Sequence, residues 1–118
     1  MTARPRGPVA TTVSTHALDA ERGGGAAGVP VRLARRRDGG LEVVAEATTD
    51  AAGRATLADG DVVPGDYEVR FDLAGYSAAR GTEPFLVELT AVVRMDRGRY
   101  HLPVLVATHA ATVYRGSA

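Results

Sequence analysis

Three histidines, one arginine in a turn and one short polar run carry the chemical possibilities of these 118 residues. His16 lies near the start of the chain and His101 near the end. Histidine is suited to moving protons near neutral pH, since its unperturbed pKa is about 6.5. Arg54 follows Asp50-Ala51-Ala52-Gly53, a turn pattern that would let a guanidinium project over a sheet edge. Attack of water on an acyl carbon needs a base for the water and donors for the developing oxyanion. His16 and His101 can supply the first and Arg54 the second. Each also has a plainer reading. A lone strand histidine is ordinarily a surface or structural residue, and Arg54 alone is an ordinary exposed arginine. Tyr114-Arg115-Gly116-Ser117 places a phenol, a guanidinium and a hydroxyl within four residues. A frayed end has little use for such donors, so the run predicts a tail that docks. His109 is the third histidine, but the set lacks ligand spacing such as His-x-x-x-His, and no metal site is expected.

These groups need elements to hold them. Tyr100, Leu102, Val104 and Val106 alternate with His101, Pro103, Leu105 and Ala107, the period of a β-strand. After Thr108-His109, the run Ala110–Val113 would return antiparallel. Thr12–Asp19 reads as a strand with Ser14, His16 and Leu18 on its less apolar face. Gly23-Gly24-Gly25 reads as a loop. Val29–Leu33 and Leu41–Ala47, joined through Asp38-Gly39-Gly40, read as a hairpin. Its inward residues would be Leu41, Val43, Ala45 and Ala47. A short run follows the Asp50 turn through Leu57. Tyr67, Val69 and Phe71 mark another half-buried strand. Leu73–Arg80 is the one plausible helix, and Phe85–Met95 a long strand. Seven or eight short strands separated by Gly, Pro and Asp turns predict an all-β, antiparallel β-sandwich with one short helix. Residues 1–11 read as a disordered leader and residues 12–118 as a single domain.

Fourteen acidic residues balance fourteen basic ones, all of them arginine. The zero net charge argues against a nucleic-acid or anionic-membrane surface. Four tyrosines and two phenylalanines are few for a base-stacking platform. Without cysteine there is no disulfide scaffold, thiolate nucleophile or thiolate zinc site. The leader has no apolar run of the secretory kind, and no stretch of about 18 apolar residues occurs. A cytoplasmic protein is expected.

Three motifs together carry a resemblance: Ser14-Thr15-His16-Ala17-Leu18-Asp19, His101-Leu102-Pro103 within a strand, and Tyr114-Arg115-Gly116-Ser117. The chain resembles the 5-hydroxyisourate hydrolase branch of the transthyretin-like family from about Thr12 to Ser117. The resemblance implies a transthyretin-like sandwich. It also implies opening of the lactam ring of 5-hydroxyisourate to an acidic ureidoimidazoline in urate breakdown, without a cofactor. It assigns His16, Arg54, His101 and Ser117 as catalytic and Tyr114, Arg115 and Gly116 as substrate-binding. His101 would be the general base and His16 its partner, with the reverse assignment open. A homotetramer built as a dimer of dimers is implied, its site facing a channel between subunits. Leu18, Pro103 and Leu105 on the histidine face are apolar groups that a partner could cover. The chain departs from the family pattern at Ala107-Thr108-His109, where Leu-Ser-Pro is usual. Ala111 and Val113 also depart from it, and Ala118 lies beyond the usual final Ser.

Two other functions fit the fold. A ligand carrier of transthyretin type would, by resemblance, have Lys, Glu and Thr where this chain has His16, Arg54 and His101. A non-catalytic sandwich module accounts for residues 28 to 71, but for neither end motif.

Overall fold

The computed structural model describes residues 9–117. Among these, nine strands form two facing sheets. The first sheet is built around β1 (Val9–Asp19). On one edge β1 pairs in parallel with β8 (Gly98–Val106), which pairs antiparallel with β9 (Ala111–Val113). Along its other edge lie the two-residue β2 (Gly24–Gly25) and β5 (Arg54–Val62), both antiparallel. The second sheet is antiparallel throughout: β4 (Gly40–Thr48), β3 (Pro30–Arg37), β6 (Gly65–Asp72) and β7 (Glu88–Met95). A single short helix, α1 (Leu73–Ala79), leaves β6 with Asp72 as its N-cap, the carboxylate accepting from Gly75 N–H at 2.8 Å.

Period-two alternation divides each strand between core and exterior. Val13 and Ala17 of β1 and Leu102, Val104 and Val106 of β8 are buried. They face Val31, Leu33, Val69 and Phe71 of the second sheet within one core cluster. The buried threonines of β1 are satisfied: Thr11 donates to the Asp96 carbonyl at 2.8 Å and Thr15 to that of Leu102 at 2.6 Å.

The sandwich, its single helix and the His101 strand agree with the expectation from sequence; several boundaries differ. β1 begins at Val9, so residues 9–11, expected in the leader, are strand; the rest of the leader lies outside the described residues. Gly24–Gly25, read as loop, pairs with the end of β1. β5 runs on to Val62, past Leu57. β7 starts at Glu88 rather than Phe85, because the Val87 carbonyl is taken by the first turn of α1, through Ala74 N–H at 2.9 Å. Phe85 and Val87 are therefore exposed.

Leu41 and Val43 do not face inward. Leu33 lies opposite Ala45, but Ala34 lies opposite Val43, so Val44 is an extra residue and the hairpin reverses faces beyond it. Leu41 and Val43 then share the side of Arg36, whose guanidinium pairs with Glu68 at 3.2 Å, and both are exposed.

The α1 end is tied to β1 by a buried carboxylate. Asp19 accepts from the Tyr76 hydroxyl at 2.6 Å and from the backbone N–H groups of Glu21 and Arg22 at 2.9 and 3.2 Å. Burial opposes ionisation of Asp19, but these donors outweigh it and hold its pKa below 3.8. A depressed carboxylate pKa contributes stability above the unfolded-state value, and loses it as pH falls through the folded one. Tyr76→Phe is expected to cost about 1.5–3 kcal/mol at pH 7, the range for a hydrogen bond to a charged group. Thermal melts of both proteins should converge as pH is taken below 3.8; a gap that stays constant into acid would contradict the role given to the ionised carboxylate.

Candidate active site

The outer face of the first sheet carries the candidate residues in rows. Arg54 of β5 lies opposite His16 of β1, which lies beside Pro103 of β8. One row along, Thr56 faces Ser14, which lies beside His101, which faces Gly116. The next row is Asp59, Thr12 and Arg99. An open groove of about 570 Å3 runs over these rows, lined among others by Ser14, Arg54, Thr56, Tyr100, His101 and Ser117.

A bulge decides that Arg54 is here. Val13 pairs with Ala58 but Ser14 with Thr56, leaving Leu57 as an extra residue on β5. Without it Arg54 would fall opposite Ala17, on the buried face. The turn before Arg54 is held by Asp50, whose Oδ1 accepts from the N–H groups of Ala52 and Arg54, both at 2.9 Å. The Arg54 N–H leads in holding the Asp50 carboxyl below its ordinary value, against the opposing effect of burial. Gly53 completes the turn at φ +84°, and a Cβ there would strike the Ala17 carbonyl oxygen.

Each imidazole has a fixed partner. His16 Nε2 is 2.9 Å from the Ala52 carbonyl oxygen. A carbonyl only accepts, so Nε2 of His16 carries the proton. His101 Nδ1 is 3.0 Å from Ser14 Oγ. Burial pushes the His101 pKa below its ordinary value, and the charges of His16 and Arg54 push the same way.

The segment after β9 runs back along β8 in unbroken register. Val113 is opposite Val104, and the same register brings Gly116 opposite His101, where an isolated bridge forms. Gly116 N–H donates to the His101 carbonyl at 2.8 Å and Tyr114 N–H to that of Pro103 at 3.3 Å. Pro103 has no N–H to return, which separates the bridge from β9. Gly116 is needed for closeness rather than for an unusual φ. A Cβ there would meet Pro103 Cγ at 2.8 Å and His101 Cδ2 at 3.0 Å.

The structure thus brings His16, Arg54, His101 and Gly116 into adjacent rows and sets Ser117 in the groove wall. Tyr114 is exposed beside them. Arg115 turns elsewhere: its guanidinium sits 4.7 Å from the Tyr100 ring centroid, and Nη2 donates to the Arg99 carbonyl at 3.4 Å. His109 packs edge-on against Phe85, with centroids 5.7 Å apart, beyond the far end of β8. Sequence reasoning passed over Ser14 and Asp50. Ser14 was within reach, being two residues from His16 on one strand face. Asp50 could be found only as the turn residue that precedes Arg54.

The profile of the HIUase/Transthyretin family matches residues 13–116. The chain belongs to that family. Among its relatives, the 5-hydroxyisourate hydrolase of Caulobacter vibrioides is 38% identical over 113 residues, covering 89% of this chain and 97% of that protein. The structure of Klebsiella pneumoniae 5-hydroxyisourate hydrolase superposes with a TM-score of 0.81 at 32% identity, covering 91% of this chain and 99% of that one. Sea bream transthyretin, solved in complex with thyroxine, gives 0.79 at 25% identity, covering 90% and 95%. The family fold therefore holds both hydrolases and a thyroxine binder, and the residues on the face must distinguish them.

Gly116→Val tests the docking of the final segment. The added side chain has no room between Pro103 and His101, so the segment should lift from β8. Hydrogen exchange at the residue-116 amide is expected to accelerate strongly while β1 and β8 amides stay protected. Unchanged exchange at residue 116 would contradict the close fit.

Proposed function

We propose that this chain hydrolyses 5-hydroxyisourate, the substrate its hydrolase relatives are named for, and that the product is 2-oxo-4-hydroxy-4-carboxy-5-ureidoimidazoline. The observation that carries the reading is the convergence of His16, Arg54 and His101 in adjacent rows of one sheet face, with Gly116 closing on His101. A carrier needs no such set of a proton acceptor beside a planar cation.

In this reading His101 takes a proton from water as the oxygen attacks the lactam carbonyl carbon. Arg54 holds the oxyanion of the tetrahedral intermediate. The C–N bond then breaks, the ring nitrogen receives that proton from His101, and the new carboxylic acid, still attached to the opened ring, loses its own proton to solvent. His16, with Nε2–H committed to Ala52, anchors the Arg54 turn to β1. Ser117 contributes its hydroxyl to the groove wall. Arg115 fastens the final segment through Tyr100 rather than reaching the substrate itself. Tyr114 remains as a cover. Proton transfer and oxyanion support are within the means of imidazole and guanidinium, so the reading calls on no cofactor.

The same reading includes a homotetramer, a dimer of dimers, in which Leu18 and the 44%-exposed Leu105 are covered by another subunit. Native mass spectrometry tests this. It also places the enzyme in the cytoplasm, with which a cysteine-free chain is compatible. Among the described residues no helix is long and apolar enough to cross a membrane.

Absorbance decay of freshly generated 5-hydroxyisourate, with its spontaneous decay subtracted, tests the activity; a rate no faster with the protein than without it would defeat the proposal. His101→Asn keeps polarity but removes the titrating group, and should lower kcat about 100- to 10,000-fold. Because burial, His16 and Arg54 all lower the His101 pKa, the wild-type acid limb of kcat/KM should fall below the free-histidine value of 6.5. A limb above 6.5 would refute His101 as the base. Arg54→Lys keeps charge but loses the planar fork, and should lower activity about a hundredfold or more. Near-normal activity in that variant would reduce Arg54 to a point charge.

A further inference from the structure

We infer that Ser14 is a positioning residue for His101: its hydroxyl accepts a hydrogen bond from Nδ1–H and so leaves the lone pair on Nε2, turned to the groove. The catalytic consequence rests on the hydrolase reading, whereas the tautomer rests on geometry and charge independently of it. Ser14 Oγ lies 3.0 Å from Nδ1. The opposite edge of the ring, at Cδ2, is the atom that a Cβ on Gly116 would meet at 3.0 Å. β1 thus grips one edge of the imidazole and the final segment the other. Cε1 and Nε2 are left to face the groove that His101 lines. Rotating the ring by half a turn would exchange Nδ1 for Cδ2 and forfeit the serine bond, so one orientation is selected.

A serine hydroxyl can donate or accept, so the distance alone does not choose the tautomer. The charge around the ring does. Arg54 lines the same groove, and its fixed positive charge acts on His101. A cation stabilises a lone pair directed toward it and opposes an N–H directed toward it. Nε2 therefore keeps the lone pair, Nδ1 keeps the proton, and Ser14 accepts. His16 has the other tautomer, since its Nε2–H is committed to the Ala52 carbonyl. Two neighbouring imidazoles of like composition are set differently, each by the group that meets its second nitrogen.

The experiment uses the full chain with 15N-labelled histidine, at a pH where the rings are neutral, reading two- and three-bond nitrogen–proton couplings. Wild-type His101 is expected to show Nδ1–H. In Ser14→Ala it should move toward Nε2–H, the form favoured by free neutral imidazole. With that shift, kcat on 5-hydroxyisourate should fall tenfold or more while KM stays within about twofold. Ser14→Thr keeps the hydroxyl and should retain the wild-type tautomer and most of kcat. A wild-type His101 with Nε2–H, a Ser14→Ala protein with unaltered tautomer, or a Ser14→Ala kcat within twofold of wild type overturns the inference. If the wild-type protein proves inactive, the hydrolase reading fails by itself and the nitrogen spectra still decide the tautomer.

Discussion

Leu57 has no separate partner on β1, and that irregularity organises the face. A strand presents alternate residues to alternate sides, so one extra residue exchanges the sides of everything beyond it. Upstream of Leu57, β5 puts Ala55 opposite Thr15 and Arg54 opposite His16. Arg54 and His16 stand opposite each other on the outer face because of this one residue, while Leu57 itself stays buried. The turn reinforces the setting. Asp50 grips the Arg54 amide, Gly53 lies against β1, and the Ala17 amide donates to the Gly53 carbonyl at 2.7 Å. Arg54 thus projects from a backbone fixed on three sides, which limits the entropy lost when it orients a ligand.

Much of this was legible in the sequence, for identifiable reasons. Val13, Ala17, Leu102 and Val104 alternate cleanly with polar or half-exposed neighbours, so both histidine faces could be read from periodicity. The Asp38-Gly39 and Asp50–Gly53 turns announce themselves through residues that accept turn geometry. Bulges do not. Nothing in Val43-Val44 or Leu57-Ala58 says which residue will go unpaired, because that depends on the partner strand. The hairpin end was therefore assigned to the wrong side, and the register that joins Arg54 to His16 was not derivable. Phe85-Leu86-Val87 misled in a different way. Its apolar alternation mimics a strand, but α1 claims the Val87 carbonyl and holds the segment off the sheet. For the site, the residue types came from short motifs, while Ser14 and the turn to Tyr100 by Arg115 required coordinates.

The final segment shows how a weak element can be specific. Its ladder to β8 is thinned by Pro103, which accepts but cannot donate. What remains is the Gly116 bond, long contacts from Tyr114 and from the Arg115 guanidinium to the Arg99 carbonyl, and the stacking of Arg115 on Tyr100. None of these is strong alone. Each sits on the exact register that β9 establishes, so the segment has one way to lie, and that way puts a residue without a side chain beside the imidazole.

The parallel pairing of β1 with β8 also has a consequence for synthesis. Ser14 and His101 are 87 residues apart in the chain, although adjacent in the sheet. β1 precedes every other described strand in the chain, and the hairpin partners in the second sheet follow it soon. Its own neighbour β8 emerges only after all of them. Until then β1 offers an unsatisfied edge, and contacts of such long separation are slow to form. During that interval the nascent chain holds seven of the nine described strands and only the β1–β5 side of its groove, exposed to chaperones and to pairing with other chains. Correct assembly of this fold thus depends on the β1 edge staying unpaired until residues 98–106 have been made.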